Sequence, residues 1–139
     1  MSDIITIGVI GLGNAGSPIL NNLFKAKKYN LVAFDVDKNK LNNVPKDVIK
    51  ANSIKDLAEK CKVVLTCLPK PEHVLNAVDG ENGLLQNASS GMIWIDTSTT
   101  DFKQTQKLAE KAKTFDVSML EATLTGGVHA LQNNNMVCL

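Results

Sequence analysis

The 139-residue sequence contains no arginine, and all fifteen of its basic residues are lysines. A chain without the planar guanidinium fork has only point charges to offer a phosphate or a nucleic acid. These lysines are interspersed with fourteen acidic residues, for a formal charge of +1, so the electrostatic footprint of a nucleic-acid-binding protein is missing. The one cluster, Lys25, Lys27 and Lys28, reads as the solvated C-terminus of a helix, where cations complement the dipole. Cysteine is scarce as well. Cys61, Cys67 and Cys138 are too few and too irregularly spaced for a disulfide framework, and Cys67 and Cys138 stand in apolar runs, where a thiol behaves as a small buried hydrophobe. With no C-x-x-C and only two histidines, no metal site is expected. No apolar run approaches the length of a membrane span. The opening Met-Ser-Asp leads straight into an apolar segment without a basic or apolar leader, which points to the cytoplasm, or to the mitochondrial matrix if a presequence was removed.

What is present is enough for one ordinary domain over residues 1–139, since 44% of the residues are hydrophobic. No linker, low-complexity segment or short repeat divides it. The most informative stretch is the first. A β-branched run, Ile4, Ile5, Ile7, Val9 and Ile10, meets Gly11, Gly13 and Gly16 at G-x-G-x-x-G spacing, and Ile19, Leu20, Leu23 and Phe24 follow at helical spacing. In such a strand, turn and helix the first glycine permits the sharp turn and the second lets a pyrophosphate approach the backbone. The third lets the helix lie close to the strand. The free N–H groups of the helix start then face the phosphates. Pro18, in the first helical turn, loses no hydrogen bond.

A lone G-x-G-x-x-G is weak, so its surroundings decide. Asp35 stands nineteen residues after Gly16, at the end of a second apolar run, Leu31 to Phe34. That is where a carboxylate can accept from ribose hydroxyls. The competing reading is an ordinary turn with Asp35 at a solvated strand end. Strand, glycines, helix, strand and acid all in register favour the dinucleotide, with NAD as the cofactor, because Asp35 and Asp37 would repel the 2′-phosphate of NADP.

The rest of the chain alternates. A helix is expected over about 14–27, a strand over 31–35 and a short capped helix after Asp37. A brief strand over 48–51 precedes Ser53, an N-cap for a helix over 54–60. Then come a strand over 63–68 buried on both faces, a helix over 71–78, a loop at 80–83 and a strand over 92–95. A helix over 101–113, with Phe102, Leu108, Ala109 and Ala112 inward, and a strand over 117–120 follow, and the apolar run 136–139 looks like the next strand. This alternation predicts an α/β fold with a doubly wound, mainly parallel sheet of the Rossmann type. Ligands in such sheets bind beyond the carboxyl ends of the strands. The glycine turn, Asp35, Cys67-Leu68-Pro69, Asp96 to Thr99 and Thr125-Gly126-Gly127 should therefore converge.

The motifs G-L-G-N-A-G-S-P at 11–18, C-L-P at 67–69, I-D-T-S-T at 95–99 and T-G-G at 125–127 together resemble the 3-hydroxyisobutyrate dehydrogenase group of β-hydroxyacid dehydrogenases along the whole chain. The resemblance implies an oxidoreductase moving hydride between NAD and a small β-hydroxyacid or its semialdehyde. It assigns Gly11, Leu12, Gly13, Asn14, Ala15 and Gly16 to the pyrophosphate, Asp35 to the adenine ribose, and Leu68 and Pro69 to the cofactor wall. His73 becomes a further cofactor contact, and Thr99 reaches the nicotinamide side. It also implies that Thr125, Gly126 and Gly127 grip the substrate carboxylate, a role for which backbone N–H groups in a glycine turn are suited.

Several positions depart from the pattern, among them Glu121, Thr123 and Leu124 before the T-G-G, and Asn134 where the family has a glycine. Ala15 replaces a methionine, Thr125 replaces a serine, and His129 stands where glycine is common with nothing to orient it as an acid or base. The family's catalytic lysine belongs to an all-helical second domain, expected beyond Leu139. Lys103 and Lys107 match no catalytic position, so no catalytic residue is assigned in 1–139. Homo-oligomers are expected only with that second domain. A non-catalytic dinucleotide-binding or assembly module is the alternative reading.

Overall fold

A computed structural model describes residues 3–135 together with the backbone of 137 and 138. The elements are β1 (Thr6–Ile10), α1 (Gly16–Ala26), β2 (Asn30–Phe34), a 3-10 turn (Lys38–Asn43), β3 (Ile49–Lys50), α2 (Ile54–Lys60), β4 (Val63–Thr66) and α3 (Pro71–Asp79). They continue with α4 (Leu84–Asn87), β5 (Ile93–Asp96), α5 (Phe102–Thr114), β6 (Ser118–Glu121), β7 (Leu124–Thr125), α6 (Gly127–Gln132) and β8 (Val137–Cys138). Among the described residues β1 to β6 form one sheet in the order β3-β2-β1-β4-β5-β6, every pair parallel. The chain winds outward from β1 in one direction, then returns and winds outward in the other. The switch point therefore lies between β1 and β4, where ligands of doubly wound sheets settle.

Strand alternation sorts the core into two layers. Ile10, Val32 and Val64 join Leu57, Val74, Leu85, Trp94 and Leu108 on one face, so α2, α3, α4 and α5 cover that side. Ile7, Val9, Leu31 and Ala33 pack with Leu20 of α1 on the other. The helix starts follow local chemistry: Ser53 accepts from the Asp56 N–H, Asp101 from that of Gln104, and Asp37 from that of Asn39. Pro71 opens α3 at a position where no N–H is needed.

Several expectations shift. The strand over 63–68 ends at Thr66, and only Val64 and Thr66 are fully buried while Val63 and Leu65 are half-covered, because they lie at the margin of the smaller of the two core clusters. Cys67 is half-buried rather than enclosed, since it stands past the strand end on the turn. Phe102 is 69% exposed. It is the first residue of α5, where side chains lean back toward the helix start and so project past the core, and Thr105 fills the inner position instead. The helix α4, the strand β7 and the helix α6 lack a strong period and were not expected. The apolar run 136–139 contributes β8, which pairs antiparallel with β7 outside the main sheet. Met136, Leu139 and the Cys138 side chain lie outside the described residues.

Candidate dinucleotide site

The cleft beyond the β1 and β4 ends has a volume of about 1220 Å³. Its floor is the glycine turn. Gly11 has φ +101°, a backbone open to glycine, and a Cβ there would fall 2.2 Å from the Cys67 carbonyl oxygen. The Gly11 N–H donates to the Phe34 carbonyl at 2.9 Å, which ties the turn to the end of β2. A Cβ on Gly16 would lie 1.8 Å from the Gly11 carbonyl oxygen. The third glycine thus brings the helix against the turn itself more than against the strand.

A Cβ on Gly13 would meet nothing within 4 Å, so the second glycine faces open space in the cleft. The start of α1 carries no side-chain cap, unlike the starts of α2 and α5, and no acidic residue in its first turn. An uncapped helix start beside a bare glycine suits an anionic ligand. Ser17 Oγ donates inward to the Leu12 carbonyl at 3.0 Å and braces the turn.

Asp35 is 8% exposed and lines the cleft. Its Oδ2 accepts from the Leu12 N–H and its Oδ1 from the Asp37 N–H, both at 2.8 Å. Lys40 Nζ stands 4.0 Å from Oδ2. The carboxylate therefore holds the glycine turn in shape, and each oxygen keeps lone pairs for a ribose diol. That structural duty was not evident from sequence.

Leu12, Asn14, Ala15, Leu68, Pro69 and His73 join these residues on the cleft wall. Thr99, Thr125, Gly126 and Gly127 do not line it. Thr99 is exposed past the end of β5, and Thr125 to Gly127 form the link from β7 to α6, with Gly126 at φ +97°. Val128 and Gln132 of α6 reach the cleft in their place. They do so because α6 packs on α1, where Asn22 Nδ2 donates to the Leu131 carbonyl at 2.9 Å. Asn21, Asn22 and Lys25 also line the cleft, at helical spacing from Pro18, the one signal that could have found them. Val36, Ile54 and Asn76 gave no signal at all.

Under the wall lies a buried carboxylate. Asp96 is 1% exposed, and burial pushes its carboxyl above its ordinary value of 3.8, against hydrogen bonds from Ser98 and Thr66 that favour the anion. A folded-state pKa above the unfolded one means that the folded chain holds this proton more tightly. The associated stability is fully present below 3.8 and is lost as pH rises through the raised folded value. Asp96→Asn, which keeps an acceptor oxygen without the charge, is expected to gain on the wild type as pH rises through that window. Urea midpoints measured from acid to neutral pH check this, and a wild-type-to-variant difference constant with pH would refute it. Burial likewise raises the Cys67 thiol and pushes Cys61 up to about 12, so neither is poised as a nucleophile. Among the described residues no group of three or more His, Cys, Asp or Glu could hold a metal ion, and no helix is long and apolar enough to cross a membrane.

This geometry agrees with what the chain is similar to. The family model for the NAD binding domain of 6-phosphogluconate dehydrogenase matches residues 6–139. A probable mitochondrial 3-hydroxyisobutyrate dehydrogenase of Dictyostelium discoideum is 38% identical over 123 residues, covering 88% of this chain and 38% of that protein. The human mitochondrial 3-hydroxyisobutyrate dehydrogenase is 32% identical over 133 residues, covering 94% and 39%. The solved Mycobacterium tuberculosis 3-hydroxyisobutyrate dehydrogenase with L-serine superposes with a TM-score of 0.89 at 24% identity, covering 98% of this chain and 46% of that one. The chain thus spans under half the length of these relatives. It belongs to the family of the 6-phosphogluconate dehydrogenase NAD-binding domain.

Proposed function

We propose that residues 1–139 form one domain that binds NAD in this cleft and serves a dehydrogenase of small β-hydroxyacids or their semialdehydes. The observation that carries the reading is the convergence of an uncapped helix start, a glycine with open space where its Cβ would stand, and a carboxylate at the end of β2. Under it, Gly11 to Gly16 hold the pyrophosphate, Asp35 the adenine ribose, and Leu68, Pro69 and His73 the wall, with Thr99 toward the nicotinamide. NAD supplies hydride acceptance and donation, and the chain orients it. Thr125, Gly126 and Gly127 fit a substrate carboxylate, because two successive glycines at positive φ, +97° and +74°, form a turn whose backbone N–H groups no Cβ screens from an anion.

Hydride transfer from a hydroxyl also needs a group to take its proton. The cleft lysines, Lys25 on α1 and Lys40 beside Asp35, stand on the α1 and ribose sides rather than at the β4 end. We therefore assign the proton transfer to a helical second domain of the kind the family carries. That domain would also supply the assembly interface. The names of two relatives place those proteins in mitochondria, so the matrix joins the cytoplasm as a proposed location.

General acid–base help is worth about 10² to 10⁴ in rate. The purified 139-residue chain is accordingly expected to bind NADH in a fluorescence titration and to show no turnover with 3-hydroxyisobutyrate, glycerate or 4-hydroxybutyrate. No NADH binding would overturn the cofactor reading, and robust turnover would overturn the assignment of the chemistry elsewhere.

A further inference from the structure

The carboxyl ends of β4 and β5 are joined by a buried polar network that dinucleotide binding at the glycine turn leaves unexplained. Thr66 Oγ1 donates to Asp96 Oδ1 and accepts from Trp94 Nε1, each at 2.9 Å. The Ser98 N–H donates to the same Asp96 oxygen at 3.0 Å. Thr97 Oγ1 donates to the Thr66 carbonyl at 2.9 Å. The network meets the cleft wall at two neighbouring residues, at Cys67, which bonds Thr97, and at Leu68. Ser98 Oγ accepts from the Leu68 N–H at 2.9 Å, and Leu68 begins the wall that Pro69, with no N–H of its own, continues.

Ser98 is 3% exposed and does not line the cleft itself. It reaches the ligand space only through the backbone it holds. Leu68 in turn packs on the glycine turn, its Cδ2 lying 3.0 Å from where a Gly11 Cβ would stand. Strand order decides which part of a dinucleotide this wall meets. Asp35 ends β2 on one side of β1, and Leu68 follows β4 on the other. With the adenine ribose at Asp35 and the pyrophosphate at the turn, the β4 side receives the nicotinamide half.

We infer that Ser98, itself oriented by Asp96, is a positioning residue that fixes the Leu68-Pro69 wall for the nicotinamide half of the cofactor. The inference rests on the dinucleotide reading above, and comparing ADP with NADH separates the two. ADP spans only the β2 side and the turn, so Ser98→Ala is expected to leave ADP affinity within about twofold while weakening NADH about three- to tenfold, as loss of one net hydrogen bond would. A merely structural loss would lower both together. Calorimetric titration of both nucleotides into wild type and variant reads the split. Hydrogen exchange of the wild-type Leu68 amide gives a measurement that does not depend on the variant folding, and that amide is expected to be protected. Wild-type protein that binds neither nucleotide would end the dinucleotide reading itself. Wild type that binds both would instead sink the role of Ser98 if Ser98→Ala shifted both affinities equally or neither, or if the Leu68 amide exchanged as freely as an exposed one.

Discussion

Asp35→Ala is expected to reduce a roughly hundredfold preference for NADH over NADPH to near parity. Asp35 stands buried at the end of β2 with one lone-pair direction on each oxygen already taken by backbone N–H groups of Leu12 and Asp37. The remaining capacity suits the 2′- and 3′-hydroxyls of an adenine ribose, and hydrogen bonds to a charged group are worth about 1.5–3 kcal/mol each. A 2′-phosphate would forfeit these bonds and meet a like charge. Asp37 adds a second negative charge nearby, and Lys40, 4.0 Å from Asp35, offers a point charge without a planar fork. Because Asp35 also anchors Leu12 in the glycine turn, the variant should bind both cofactors more weakly in absolute terms. The ratio is therefore the diagnostic quantity. Fluorescence titrations with NADH and NADPH at fixed salt measure it. Equal affinities in the wild type, or a ratio untouched by the substitution, would remove Asp35 from the selective role.

A second large effect is expected from Gly16→Ala, with Gly13→Ala as its counterpart. The Gly16 Cβ would lie 1.8 Å from the Gly11 carbonyl oxygen, a backbone atom that cannot swing aside as a side chain might. Gly11 is itself confined, with its N–H on the Phe34 carbonyl and the Cys67 carbonyl behind it. Helix and turn must separate, at a cost of about 1–3 kcal/mol or more for overpacking, and the phosphate cradle moves with them. We expect a lower melting temperature and NADH affinity reduced by about tenfold or more, since 1.4 kcal/mol is already tenfold in binding. Gly13→Ala should behave differently. Its Cβ enters open space, so the fold should melt as the wild type does while NADH binding falls, because the methyl occupies the pyrophosphate's approach. Melting curves and NADH titrations on both variants separate the roles. Unchanged NADH affinity in Gly16→Ala would contradict the close approach, and unchanged affinity in Gly13→Ala would place the pyrophosphate elsewhere.

Most of the order of strands and helices, the glycine turn and the caps at Asp37 and Ser53 were legible in the amino-acid sequence. Each depends on residues a few positions apart, through side-chain period, backbone freedom or a hydroxyl or carboxylate within reach of the next turn. The glycine spacing and the acid after the second apolar run likewise marked the floor of the cleft and the carboxylate beside it. The sequence did not show what the floor rests on. The bonds from Leu12 to Asp35, Leu68 to Ser98 and Asn22 to Leu131 span 23, 30 and 109 residues. No local pattern encodes such pairs, which arise only once parallel pairing brings the strand ends level. The same holds for Phe102, apolar and in phase yet exposed because the core ends before the first turn of α5. It holds too for α6, a short helix without strong period that lies on α1 and turns Val128 and Gln132 into the cleft. Local chemistry determined which residues could touch a dinucleotide, and tertiary packing decided which of them share the cleft, because contact between distant segments is a property of how the layers meet.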